Sequence, residues 1–413
     1  MFTRLFLFVF LIIVNVACIQ NMEEAVPAES GLSEVDNQVS RFMRKWSLQG
    51  GSVALAKDGR LVYVRGFGNA DQEQATESTS LFRIASLSKP ITAIAILKLV
   101  EAGKLNLEDT VFGEHGILNT PEYATIADDR VRQITVRQLL QHTAGWDRDR
   151  SPEGDPMFNS VAISQTMAAP TPASVTTIIQ YILTKPLDFS PGSRYAYSNV
   201  GYAILGRVIE KVTGKGYESY VKESVLYPSG AFDMQLGHNL YSQKQVKEVR
   251  YYEKAGAALV PSVCEIGKQV NCPYGGFNLE AMDAHGGWLA SSMDLARVLV
   301  GTSGIAAKPG LLPEDLIRTM LTPSDQNSNY ALGWFVNQAG NYWHTGSLVG
   351  SSTMMAHLKS GVSWVILFNG NPQTQEYFRD LDQLMWKALD KVQTWPEQDL
   401  FITPLQEKRP SMQ

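Results

Sequence analysis

RIASLSKPITAIAILKLVEAGK, Arg83 to Lys104, decides how the rest of the chain is read. It sets two serines and a lysine before a long apolar run, and a proline where a helix should be gathering hydrogen bonds. Ser86 and Lys89 are three residues apart, so on a helix their Cβ atoms share one face about 5–6 Å apart. A serine hydroxyl becomes a nucleophile only when a base takes its proton. A lysine held in a partly dry cleft, near other donors, can have its pKa lowered enough to help. The start of a helix adds the positive end of the dipole and a free backbone N–H for a developing oxyanion. An N-capping serine with a solvated lysine is the plainer reading of the same residues. Ser88, one position from Lys89, has the wrong spacing. Pro90 is tolerated if it falls in the first turn, where backbone N–H groups lack intrahelical partners anyway.

Two later stretches offer partners. In FSPGSRYAYSNVGYAILGRVIEKVTG a Pro-Gly turn delivers Tyr197-Ser198-Asn199 to the start of a helix ending at Gly214. A phenol depressed by a nearby lysine can shuttle a proton, and the Asn199 amide can hold a carbonyl and steady the lysine. A packing tyrosine and a capping asparagine are the alternative, and Tyr195 is read as a packing residue. In NYWHTGSLVGSS, His344-Thr345-Gly346 ends a strand, and the Ser347 N–H is a second candidate oxyanion donor. Gly346 would allow close approach of a ligand backbone. His142 is read as bracing a turn; His285 either lines the cleft or is structural; His115, His238 and His357 have no companions.

The 413-residue chain carries 41 acidic and 36 basic residues without a basic block, which argues against a nucleic-acid partner. Residues 1–18 resemble a signal peptide, with an apolar run from Leu5 to Val14 that is short for a membrane span. Cys18 after Val16-Ala17 suggests a lipoprotein signal, with plain cleavage or an uncleaved anchor as alternatives. Each outcome puts the folded part outside the cytoplasm: in a bacterial periplasm or cell envelope, lipid-anchored, or secreted. Residues 19–31 read as a tether, 32–393 as the folded domain and 394–413 as a C-terminal tail. In an oxidising compartment Cys264 and Cys272 are expected to close a small disulfide loop, with two separate thiols as the alternative. Their spacing argues against a zinc site.

LSEVDNQVSRFMRKW places Val35, Val39, Phe42, Met43 and Trp46 on one helical face. SVALAKDGRLVYVRGFG reads as two strands joined at Asp58-Gly59, because both central turn positions need positive φ. YALGWFV, NYWHTG, STMMAHL and VSWVILFN read as late strands, and TQEYFRDLDQLMWKALDKV as a closing helix. One sheet built from both chain ends, flanked by helices, is expected, with residues 105–290 mostly helix and loop. Two excursions interrupt that middle: residues 146–174, and residues 241–254 running on through the cysteine loop. Long loops of this kind are candidate binding or lid segments.

The order Ser-x-x-Lys, Tyr-x-Asn, His-Thr-Gly resembles the serine β-lactamase and penicillin-binding superfamily. Tyr-Ser-Asn, where class A enzymes have Ser-Asp-Asn, is similar to its class C-like branch of peptidases and esterases. ITVRQLLQHTAGW and GGWLASSMDLARVL resemble further family segments, the second with Ser291 and Asp294 placed as a capping box. The resemblance covers residues 33–392 and implies an α/β (α+β type) β-lactamase/transpeptidase-like fold. It implies acyl transfer: Ser86 attacks a carbonyl, Lys89 and Tyr197 handle protons, Asn199 positions substrate, and the Ser86 and Ser347 N–H groups hold the oxyanion. No metal or organic cofactor is expected by this resemblance.

His344 stands where β-lactamases usually carry lysine, and a histidine is largely neutral near pH 7. The expected substrate is therefore a small peptide, amide or ester, with D-residue or nonribosomal-type peptides favoured. A β-lactamase or cell-wall DD-peptidase, a transesterase, and an inactive penicillin-binding or scaffold protein remain open alternatives. Oligomeric state is not legible.

Overall fold

The computed structural model describes residues 32–402 apart from Glu153 and residues 305–309. The signal and tether, with Cys18, lie outside the described residues. The helices that frame the site are α1 (Ser33–Trp46), α2 (Ser88–Glu101), α3 (Asn199–Thr213), α4 (Ser292–Gly301) and α5 (Gln375–Leu389). The main sheet has strands β1 (Gly50–Lys57), β2 (Arg60–Gly68), β3 (Phe335–Val336), β4 (Tyr342–Leu348), β5 (Ser351–His357) and β6 (Val362–Phe368). Its order is β2-β1-β6-β5-β4-β3, antiparallel throughout, so the two chain ends meet where β1 pairs β6.

Asp58 and Gly59 both take positive φ, 50° and 80°, as the hairpin turn requires. Side chains then alternate between two cores. Val53, Leu55, Ile366 and Phe368 face α1 and α5, meeting Val35, Val39, Phe42, Leu381 and Met385. Ala54, Ala56, Val365 and Leu367 face the larger core, which contains α2, α3 and α4 residues. α2 is apolar all round and buried from Ser88 to Leu97, so it is a central helix rather than an amphipathic surface one. Each of its Ile and Leu side chains contributes about 1.5–3 kcal/mol of burial. After α5 the chain returns to the free edge of β2, where Leu400 N–H donates to Leu61 O and Phe401 is buried.

Three local expectations are corrected. Of YALGWFV only Phe335–Val336 is a strand. Gly333, at φ 81°, turns the chain against α2, where an added Cβ would lie 2.8 Å from Ala93 Cβ. Ser291 accepts the Asp294 N–H as expected, but the Asp294 carboxylate takes the Ser291 hydroxyl rather than a backbone N–H. The expected disulfide is absent: Cys264 and Cys272 are separate thiols. Cys264 sits in the turn of the small hairpin Val260–Pro261/Gln269–Val270, its N–H on Ser262 Oγ. Cys272 lies beyond that hairpin with its N–H on Glu253. Burial pushes both thiols up, Cys264 to about 11, so neither is a ready nucleophile.

Candidate active site

Strain marks the entry to α2. Ala85 holds φ at 49°, a left-handed conformation that costs a non-glycine residue about 1–2 kcal/mol. One 3₁₀ turn, Ala85–Leu87, follows and leads into α2. Ser86 is the part-exposed residue in an otherwise buried run, and Pro90 is the third residue of α2. The strained turn is clamped by β5: Thr353 Oγ1 donates to Ile84 O at 2.9 Å and Ser351 Oγ to Arg83 O. Gly346 of β4 packs directly on it. A Cβ there would overlap Thr353 Oγ1 and the Ile84 carbonyl and lie 3.2 Å from Ala85 Cβ. The glycine thus permits close approach of the protein's own nucleophile turn, where a ligand backbone was expected.

Lys89 is fully buried. Its Nζ lies 3.1 Å from Ser86 Oγ, 2.7 Å from Asn199 Oδ1 and 2.9 Å from the His285 carbonyl. Burial holds its pKa well below 10.5, and the nearby Arg148 charge pushes the same way against Asp155. A neutral amine has two N–H donors for Asn199 and His285, leaving its lone pair for the Ser86 hydroxyl. His285 therefore meets Lys89 through its backbone; its ring lines the cleft, with Nε2 buried and unpartnered among the described residues.

Asn199 opens α3, whose N-cap is Ser198 rather than Asn199. Its amide is fixed from both sides, accepting from Lys89 and donating to Asp155 Oδ2 at 2.6 Å. The Tyr197 phenol and Ser86 both line the cleft. The centre of the Tyr197 ring lies 4.9 Å from Lys89 Nζ and 4.7 Å from Arg148 Cζ. The expected depressed phenol is not found. Burial raises the Tyr197 pKa above 10.0, outweighing the lowering by the neighbouring Ser86 hydroxyl and Arg148. Since Lys89 is itself pushed toward neutrality, it brings little charge to lower the phenol.

Strand alternation turns Thr345 and Ser347 outward and buries His344 and Gly346. β3 pairs β4 only at Tyr342 and Trp343, so from His344 onward that edge faces the cleft. His344 Nδ1 lies 2.7 Å from Thr345 O and must donate to it, which leaves Nε2 as an acceptor 3.4 Å from the Tyr330 hydroxyl. His142 Nδ1 accepts the Ser198 N–H, so its Nε2–H faces Tyr330 at 3.1 Å. Burial takes both histidines well below 6.5, His344 to about 3, and they are uncharged at neutral pH. His142 thus braces the Tyr197 segment, its ring 4.3 Å from the Tyr197 ring.

The cleft is an open volume of about 490 Å³ lined by Ser86, Tyr197, Asn199, His344, Thr345 and Ser347, with Phe158, Tyr195 and Phe335 as aromatic walls. Sequence reading missed Arg148, Asp155 and Tyr330. The first two lie in the Pro-rich excursion already marked as a binding segment, and their charge was the available signal. Tyr330 lay hidden in a stretch read as strand.

A family model described as beta-lactamase matches residues 35–386. Protein flp of Staphylococcus aureus (strain COL) is 26% identical over 358 residues, covering 82% of this chain; the chain spans 63% of that protein's length. An Escherichia coli (strain K12) protein, provisionally named a D-alanyl-D-alanine carboxypeptidase, is 24% identical over 347 residues, 76% of this chain and 75% of that one. Among solved structures, the octameric penicillin-binding protein homologue from Pyrococcus abyssi has a TM-score of 0.65 at 23% identity, over 87% of this chain and 79% of that one. The D-amino acid amidase from Ochrobactrum anthropi SV3 has a TM-score of 0.65 at 20% identity, over 88% and 97%. At these identities the two structures show the shared fold.

Proposed function

Because the chain belongs to the beta-lactamase family, within the serine β-lactamase/transpeptidase superfamily, we propose that it is a serine hydrolase cleaving peptide or amide bonds through an acyl-enzyme on Ser86. The observation that carries this reading is the buried Lys89 amine, 3.1 Å from Ser86 Oγ and held by two fixed acceptors. Lys89 takes the hydroxyl proton as Ser86 Oγ bonds to the substrate carbonyl carbon. The oxyanion is held by the Ser86 and Ser347 backbone N–H groups, a reading supported by the open β4 edge beside the strained turn. Tyr197, protonated at neutral pH, gives its proton to the leaving nitrogen as the C–N bond breaks. The resulting phenolate recovers a proton from the Lys89 ammonium, so both groups finish as they began. For deacylation Tyr197 first passes its proton to Lys89 and, as the phenolate, takes one from the water that attacks the acyl carbon; the Lys89 ammonium then returns its proton to Ser86 Oγ as the acyl C–O bond breaks, which restores both groups.

A neutral His344 brings no fixed charge toward a β-lactam carboxylate, which favours peptides and amides over β-lactams. The relatives named as a carboxypeptidase and an amidase support the same preference. The apolar run at residues 5–14 supports work outside the cytoplasm, in the periplasm or envelope, or after secretion.

The test is a panel of D- and L-peptides, amino-acid amides, esters and β-lactams, read by mass spectrometry with Ser86→Ala as the blank. Peptide or amide products in the wild type alone, with β-lactam turnover at least ~10-fold slower, are expected. Preferred β-lactam turnover would move the assignment to a β-lactamase. Absence of any turnover or acyl adduct would leave a binding or scaffold protein.

A further inference from the structure

Asn199 links Lys89 to a loop residue 44 positions upstream. Its Oδ1 takes the Lys89 amine at 2.7 Å, and its Nδ2 donates to Asp155 Oδ2 at 2.6 Å, the length of a charge-assisted bond. Asp155 is itself held in place. Its other oxygen caps the Met157 N–H at 3.0 Å, opening the single turn Pro156–Phe158, and Met157 is fully buried. Arg148 Nη1 lies 3.6 Å from Oδ2, and the Asp155 side chain is only 12% exposed. Both carboxylate oxygens are therefore acceptors in a fixed position.

That matters because a primary amide can be turned over. It presents an acceptor at one end and two N–H donors at the other, and the two ends are nearly equal in size. With Oδ1 toward Lys89, the amine gives Asn199 a proton and keeps its lone pair for Ser86. Turned over, the Nδ2 end would donate to that lone pair, and the base would be occupied by its own support. The His285 carbonyl, the second acceptor for Lys89, has no such ambiguity. Asp155 forbids the turned amide. A carboxylate acceptor has no proton to give, so an Asn199 oxygen facing it would be left against another oxygen in a largely buried place. We propose that Asp155 is a positioning residue, which locks the Asn199 amide so that the Lys89 lone pair stays free for Ser86. This rests on Lys89 being the base of the reading above. Charge supplies a second readout. Lys89 is surrounded by Arg148 and Asp155 from the loop, by the rings of Tyr197 and Tyr202, and by His142, His285 and His344. Burial and Arg148 lower its pKa, and Asp155 raises it. Without the Asp155 charge the amine loses its proton at lower pH, so a rate that needs the neutral amine rises earlier.

The rate at which a fluorophosphonate labels Ser86 tests this without a known substrate. It is read against pH in four proteins: wild type, Asp155→Asn, Asn199→Ala and the double variant. Asparagine at position 155 keeps the shape of the side chain and an acceptor for the Met157 N–H, but can meet either end of the Asn199 amide. Asp155→Asn is expected to lower the plateau rate at least ~10-fold and to move the rise to lower pH. Asn199→Ala should lose at least as much. Adding Asp155→Asn to it should then change the plateau by less than about threefold, because the link is already cut. A wild-type plateau in Asp155→Asn would overturn the proposal. So would an equal loss in both backgrounds, since Asp155 would then act by holding the loop or Arg148. A wild-type plateau in Asn199→Ala overturns it as well, whether or not Asp155→Asn folds. Failure of the wild-type protein to label is a separate result, and sinks the serine-hydrolase reading beneath.

Discussion

Lys89→Met is expected to lower kcat/KM by at least ~10³-fold, the upper range for loss of a general base. Methionine matches the length of the buried stem but offers no lone pair to the Ser86 hydroxyl. The pH dependence should identify the same group. Catalysis needs the deprotonated amine, so kcat/KM should rise with pH through the depressed Lys89 pKa and level off well below 10.5. His142, His285 and His344 are all lowered by burial, so none should add a limb near pH 6.5. Stability carries the matching signature. The unfolded chain binds a proton at Lys89 that the native state does not, so native stability rises with pH up to 10.5. Relative to Lys89→Met, wild-type Tm should therefore climb as pH increases across that window. A variant that kept a tenth of wild-type activity would exclude Lys89 as the base.

Gly346→Ala is expected to cost about 1–3 kcal/mol of stability as an overpacked site and about 10²-fold in kcat/KM by displacing the nucleophile. The added methyl has no free direction, because it meets Thr353 Oγ1, Ile84 O and Ala85 Cβ together. Either β4 retreats from the turn, opening the oxyanion site, or the Ala85–Ser86 turn shifts and Ser86 leaves Lys89. Denaturant unfolding and steady-state kinetics read the two effects separately. Wild-type kinetics in a folded Gly346→Ala protein would contradict the close packing of β4 on the nucleophile turn.

The sheet built from both chain ends was legible because its signals are local. Asp58-Gly59 sets one turn, β-rich apolar runs mark the strands, and the 3.6-residue spacing of Val35, Val39 and Phe42 marks α1. Ser86 and Lys89 were legible for the same reason, being one turn apart. Tyr197 and Asn199 were legible as candidates from the Pro-Gly turn and helix start that carry them, but their link to Ser86 and Lys89 came through the ordered resemblance, since Asn199 is 110 positions from Lys89. What stayed hidden depends on contacts that no local pattern encodes. Asp155 reaches Asn199 across 44 positions from inside a loop. Tyr330 enters the site because Gly333 turns a stretch that otherwise has strand composition. The phenol of Tyr197 was read in the wrong direction because burial acts on it more strongly than a lysine that has itself lost its charge. The cysteine pair failed because spacing reports chain length between two thiols, while the hairpin that carries Cys264 in its turn decides whether they meet.

The most direct measurement is the site of covalent attachment by a fluorophosphonate, followed by intact-mass analysis and peptide mapping. One adduct per chain is expected, on the peptide bearing Ser86, absent in Ser86→Ala, with that variant folded and without turnover. An adduct at another residue, or labelling and turnover that survive in Ser86→Ala, would contradict the assignment of Ser86 as the nucleophile.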